Sequence, residues 1–259
     1  MKRSTGSLLF VMMFSAVVYA QRGGPAQPAP TPRAAAPIDL TGYWVAVVTE
    51  DWRWRMVTPL KGDAASVPTS PAARPVIDAW DPARDEAAGL QCKSYGAAAI
   101  MRVPGRLHVT WQDDNTLRIE TDAGQQVRLF HFAGEPPRAA APSWQGYSAA
   151  KWETALNSGF PPLSFVPVPS RGPRTTRTLE VATSNLRAGY LRKNGVPYSE
   201  KTLVKEYFDL FSEPDGNTWF MVTTVVDDPV YLAVPFVTTS HFRKQQNASG
   251  WHPEPCSAR

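Results

Sequence analysis

A period of two recurs along this chain. RLHVTW (106–111), TLRIETD (116–122) and QQVRLFHF (125–132) each alternate apolar with polar residues, and only QDDN and AG separate them. Alternation puts one apolar face on a pleated strand, and separators this short make neighbouring strands antiparallel. The pattern returns in RTLEVATSNL (177–186), TLVKEYFDLFS (202–212), NTWFMVTTVV (217–226) and PFVTTSHFRK (235–244). No long 3.6-residue period appears. The sequence therefore predicts an all-β fold, an antiparallel barrel or strongly curved sheet with one or two short helices. Barrel closure would also hide the strand edges. The helices are expected at 75–80 and 83–90, the second with Asp81 as its cap and Pro82 in its first turn. An Asn-Gly pair in GYLRKNGVPYS (189–199) signals a turn.

The chain begins with Lys2 and Arg3, then runs apolar from Leu8 to Val18, with Val18 and Ala20 placed for a cleavage site. This predicts a secretory leader, residues 1–20, cut near Ala20, and a periplasmic or secreted protein. The run is too short to span a bilayer, and no later segment is apolar enough to do so. Residues 21–37, QRGGPAQPAPTPRAAAP, read as a Pro/Ala-rich linker. One domain of about 220 residues is expected from residue 38 onward, with a Pro-rich surface loop at 154–174. Loss of Lys2 and Arg3 with the leader takes the formal charge from +4 to about +2, which is no footprint for nucleic acid.

The densest aromatic stretch is DLTGYWVAVVTEDWRWRM (39–56). Read as one regular strand, it puts Trp44, Glu50, Trp52 and Trp54 on one face, with Arg53 and Arg55 on the other. Trp44 reads as a core plug. Trp52 and Trp54 are then expected to wall a cavity with Glu50 as its polar anchor, because a carboxylate removed from water needs a partner. The alternative is a bulge at 49–51 that turns Glu50 outward. Arg53 and Arg55 are an anion site or, more simply, a solvated face.

Of the four histidines, His131 shares a face with Val127 and Leu129 and is a candidate site residue. No pair has the spacing of the H-E-x-x-H motif, and neither a phosphate loop, a dinucleotide fingerprint nor G-x-S-x-G is present, so no cofactor or metal is expected. Asp227-Asp228-Pro229 reads as a turn opener rather than an acid pair. Cys92 and Cys256 are the only cysteines; in an exported chain they are expected to pair as a disulfide.

Thr41-Gly42-Tyr43-Trp44 resembles the Gly-x-Trp signature of the first strand in lipocalin-like barrels. There the Trp closes the barrel base beneath an Arg from the last strand, a place that Arg243 would take here. Over a longer span, DPARDEAAGLQCKSYGAAAIMRVPGRLHV, GYSAAKWE, LEVATSNLRAGY, LVKEYF and VVDDPVYLAVPFVTTSHF follow in an order that resembles a group of uncharacterised exported bacterial proteins. The resemblance covers residues 42–241 and implies a Gly-x-Ser…Trp strand and a Thr-x-Asn strand. It brings no catalytic residues with it.

These readings converge on a protein that binds a small, partly apolar ligand inside or at the mouth of the barrel, through Glu50, Trp52, Trp54 and His131. One alternative is an enzyme on the same scaffold, with Glu50 or His131 as acid or base. The other is an envelope structural or assembly partner that uses the Trp-rich segment for protein contact.

Overall fold

The computed structural model describes residues 29–135, 141–153 and 178–259. The expected leader, the first part of the linker and the whole of the 154–174 loop lie outside the described residues. In chain order the strands are β1 (Gly42–Val47), β2 (Arg106–Asp113), β3 (Thr116–Thr121), β4 (Ala123–Gly124), β5 (Val127–His131), β6 (Tyr147–Trp152) and β7 (Thr178–Ser184). They continue with β8 (Gly189–Tyr190), β9 (Pro197–Tyr198), β10 (Leu203–Ser212), β11 (Thr218–Asp227), β12 (Phe236–Gln245) and β13 (Glu254–Pro255). The short helices are α1 (Trp52–Arg55), α2 (Arg74–Ala79) and α3 (Pro82–Ala87). Asp81 caps α3 by accepting from the amides of Ala83 and Arg84 at 3.0 and 3.3 Å.

Nine strands close into a barrel in the order β1-β12-β11-β10-β7-β6-β5-β3-β2. Strand directions cannot alternate all the way round a ring with an odd number of members. One junction must be parallel, and it falls between β5 and β6, where only Phe130↔Ser148 and His131↔Ala149 are in register. The fold is thus an all-β barrel with minor helix, but of mixed strand direction.

Period two sends alternate residues inward. Trp44, Leu107, Val109, Leu117, Ile119, Phe130, Leu179, Val181, Phe208, Phe220, Val222 and Phe242 are all buried in one cluster. Trp44 packs edge-on against Phe220 with centroids 4.6 Å apart, and its indole N–H donates to the Leu40 carbonyl at 2.8 Å. The cation over its ring comes from Lys244, 4.5 Å from the centroid, not from Arg243, which is exposed. The two residues are adjacent on β12, and only Lys244 stands opposite Trp44 in the register with β1. The interior is therefore filled by side chains.

A second apolar cluster joins Val204, Val226 and Phe236 at one end of the barrel to Ala73, Ile77, Leu191, Val196 and Tyr198 from the segments between strands. These segments form a cap over that end. Chain residues before the expected domain start are also tied down: the Arg33 amide donates to the Asp114 carbonyl at 3.1 Å and the Trp152 indole to the Pro32 carbonyl at 2.9 Å.

Asp228 organises the turn between β11 and β12. It is 1% exposed, and its carboxylate accepts from the amides of Ser199, Val230 and Tyr231 and from the Thr202 hydroxyl. Burial by itself would raise its pKa, but these four donors outweigh it and hold the carboxyl below its ordinary range. A depressed folded pKa means stability that is present above the unfolded value and lost as pH falls through the folded one. Asp228→Ala is expected to cost about 3 kcal/mol at pH 7, because buried amides lose their acceptor. In urea unfolding, the gap to wild type should narrow below about pH 4. A gap independent of pH would show that the charge contributes nothing.

The expected strand through 44–56 is corrected. It stops at Val47, and the residues that follow turn into α1. Beyond Val47 the ladder ends on the β2 side: β2 begins only at Arg106, after Pro104, which lacks a ladder donor, and after the 3-10 turn Ile100–Arg102, while β12 runs on to Phe236 without a β1 partner. Asp51 takes a left-handed conformation (φ 54°) that breaks the alternation and starts the helical turn.

Candidate functional site

Three buried arginines from distant parts of the sequence meet beside the capped end of the barrel. Arg55 ends α1, Arg102 ends the 3-10 turn before β2, and Arg192 lies in the turn between β8 and β9. Their exposures are 8%, 6% and 4%. The Asn-Gly turn sets the last of them. Gly195 has φ +83° and leaves no room for a Cβ, which would sit 2.3 Å from Trp80. Next to it, Asn194 donates to the carbonyls of Leu60 and Asp63 at 2.9 and 2.8 Å, pinning the turn against the segment after α1.

Carboxylates satisfy part of this charge. Arg55 pairs with Glu50, Arg102 with Asp51 at 2.7 Å, and the exposed Arg53 with Asp63 at 3.3 Å. Arg55 also donates to the Arg102 carbonyl at 2.9 Å. No ion pair is formed by Arg192 among the described residues. One of its nitrogens donates to the Ser66 hydroxyl at 2.7 Å, and its guanidinium lies 4.9 Å from the Trp54 ring centroid. Trp54 in turn donates to Asp63 at 3.0 Å and has Arg53 over its ring at 4.7 Å. The indole hydrogen bond is the main cause that holds the Asp63 carboxyl below its usual range.

Four nitrogens of these three guanidiniums remain buried without a hydrogen-bond partner among the described residues: Arg55 Nη2, Arg102 Nη1, and Arg192 Nε and Nη1. They belong to side chains lining one cleft of about 40 Å³, which Trp54, Val57, Ser94 and Lys193 also line. Burial, followed by the nearby Arg102 charge, pulls the Arg192 pKa down to about 10, against the pull of Asp51 and Asp63. Burial also lowers the Arg55 pKa; Glu50 opposes this and Arg102 adds to it. A buried charge without a counter-ion is expensive, and each orphaned donor adds its own desolvation penalty. An anionic group in the cleft would relieve both.

The expected site residues scatter. Glu50 and Trp54 belong to this neighbourhood, Glu50 through Arg55 and Trp54 as a wall. Trp52 is 67% exposed on the outside of α1. Neither tryptophan lines the barrel interior, so the expected barrel cavity is overturned; the end of β1 at Val47 is the cause. Arg55 is no solvated residue, whereas Arg53 is exposed as a polar face would be. His131 sits on the outer wall, stacked on Tyr147 at 4.8 Å, with its pKa lowered by burial and partly restored by Asp113. The imidazole nearest Glu50 belongs to His241, whose Nδ1 is 3.5 Å from the carboxylate, while the Thr49 hydroxyl donates to the same oxygen at 2.5 Å. Arg102, Arg192, Ser66 and Lys193 were not found from the sequence. The Asn-Gly turn directly after Arg192 and Lys193 was the one available signal.

Two larger grooves are present, the first adjoining the arginine cleft through Arg102 and the second remote from it. One of about 700 Å³ runs past Thr49, Glu50, Met221, Phe236 and His241. The other, about 600 Å³, crosses the outer wall over Ala149, Ala182, Leu203, Tyr207 and Val225. No side chain of the outer-wall groove leaves a buried polar atom without a partner. Among the described residues no group of three or more His, Cys, Asp or Glu could hold a metal ion, and no helix is long and apolar enough to cross a membrane. No family model, no curated protein and no solved structure matches the chain.

Proposed function

We propose that the protein is an exported binding protein whose small ligand places an anionic group in the arginine cleft. One observation carries the reading: Arg192 is 4% exposed, forms no ion pair among the described residues and leaves two nitrogens unpartnered. Planar guanidinium forks suit carboxylate, sulfate and phosphate oxygens. The Trp54 ring and Val57 give the ligand an apolar wall beside the charge. Export rests on the leader pattern and agrees with the Cys92–Cys256 disulfide. For the enzyme alternative, Glu50 is held by Arg55 and Thr49 with His241 beside it, and His131 is stacked on Tyr147 away from it.

Titration of the purified chain with acetate, phosphate, sulfate and citrate tests the reading. At least one of them should raise the melting temperature in a saturable way. Arg192→Met keeps the stem and removes the fork. It should weaken that anion about 10- to 100-fold. Without ligand, the variant should unfold at an equal or higher denaturant concentration, since an uncompensated buried charge has gone. A variant that is much less stable, with no anion bound by wild type, would show that Arg192 is structural.

A further inference from the structure

The chain segment that supplies Trp54, Arg55 and Val57 to the arginine cleft also carries apolar side chains into water. Trp52, Met56, Val57 and Leu60 are 67%, 58%, 63% and 82% exposed, a concentration of large apolar side chains within nine residues. Trp52 and Met56 are one helical turn apart, joined by the Met56 amide donating to the Trp52 carbonyl at 2.8 Å. Val57 is both on this patch and in the cleft lining, so the patch runs into the anion site. The Leu60 carbonyl accepts from Asn194, two residues beyond Arg192. The patch is also fixed from below: Pro59 is buried between exposed neighbours.

An exposed apolar surface next to a cationic cleft that holds unpartnered donors fits one molecule with both characters. Resting on the anion reading above, we infer that the ligand is a single-chain anionic amphiphile, its charged head in the cleft and its hydrocarbon chain over Val57, Met56, Leu60 and Trp52. The small cleft admits one head group and no second ring system. A head group locked in a bilayer would have to leave the membrane plane to reach a guanidinium this buried; a monomer in solution would not. Flexible Met and Leu side chains suit a chain of variable length.

A homologous series tests this: acetate, butanoate, hexanoate, octanoate and decanoate, each below its aggregation concentration, titrated calorimetrically into the full chain. Affinity should rise about twofold to fourfold per methylene until the chain outgrows the patch. Met56→Ser combined with Leu60→Ser should flatten the series and leave acetate affinity and melting temperature unchanged, because both side chains lie outside the cleft. A flat series with short anions still bound would overturn the amphiphile and leave the anion site standing. No binding of any member, nor of phosphate or sulfate, would overturn both. Co-sedimentation with phosphatidylglycerol vesicles, without measurable binding of the monomers, would replace the soluble amphiphile with a membrane surface.

Discussion

Opening the Cys92–Cys256 bond is expected to lower the free energy of unfolding by about 5 kcal/mol, the entropy released by freeing a loop of this length in the unfolded chain. The two residues are 164 positions apart, so the closed loop contains every barrel strand except β1. In the fold their Cα atoms are 5.1 Å apart, an ordinary spacing for a disulfide. The bond also holds the chain end in place. β13 pairs in parallel with β4, and the Glu254 amide donates to the Asp122 carbonyl at 2.9 Å. Two residues of pairing would fray at a chain end without an anchor. Gly124, the partner of Pro255, presses against Tyr95, where a Cβ would stand 2.3 Å from the ring; this packs the tail, β4 and the segment carrying Cys92 into one unit. Guanidinium unfolding with and without reductant, and of the Cys92→Ser/Cys256→Ser pair, should show the same lowered midpoint. The reduced protein should also be clipped first within residues 254–259. An unchanged midpoint would mean that the closed loop adds nothing to stability.

Much of the fold could be read from the sequence because barrel strands alternate and turns announce themselves. The segments read at 202–212, 217–226 and 235–244 became β10, β11 and β12 within one residue at each end. The reading failed where alternation ran on past the end of one of the two neighbouring ladders. Trp52 and Trp54 keep step with Trp44, yet a strand needs a ladder, and Pro104 and the turn before it deny one on the β2 side. The parallel β5–β6 junction was hidden for another reason: strand parity only matters once the ring is closed. The site was harder still. Arg55, Arg102 and Arg192 sit in three separate segments between strands, and their meeting depends on how the cap folds over the barrel end. Only burial turns those arginines from solvated side chains into a cluster in which Arg192 forms no ion pair among the described residues.

Glu206→Ala is expected to cost about 3–5 kcal/mol, the penalty for stranding one partner of a buried ion pair. Arg128 on β5 and Glu206 on β10 are 1% and 0% exposed and meet inside the barrel, fork to fork, at 2.9 and 2.6 Å. The same guanidinium donates to the Thr183 hydroxyl at 3.3 Å, and Thr183 bonds Ser148 at 2.8 Å, so one network ties β5, β6, β7 and β10 together. It crosses the interior beside the β5–β6 junction, where the ladder is shortest. Removing Glu206 leaves a guanidinium among Phe130, Thr183 and the surrounding core with no anion to face. Replacing both partners, Arg128→Met with Glu206→Leu, removes the charge and its desolvation cost together, and should come within about 1 kcal/mol of wild type or exceed it. The double variant should still exchange amide hydrogens faster at Phe130–His131 and Ser148–Ala149, because it lacks the hydrogen bonds that brace the seam. If the double variant is as unstable as Glu206→Ala, the pair itself stabilises the barrel. If amide exchange at the seam is also unchanged, the network braces nothing there, and the junction holds by side-chain packing alone.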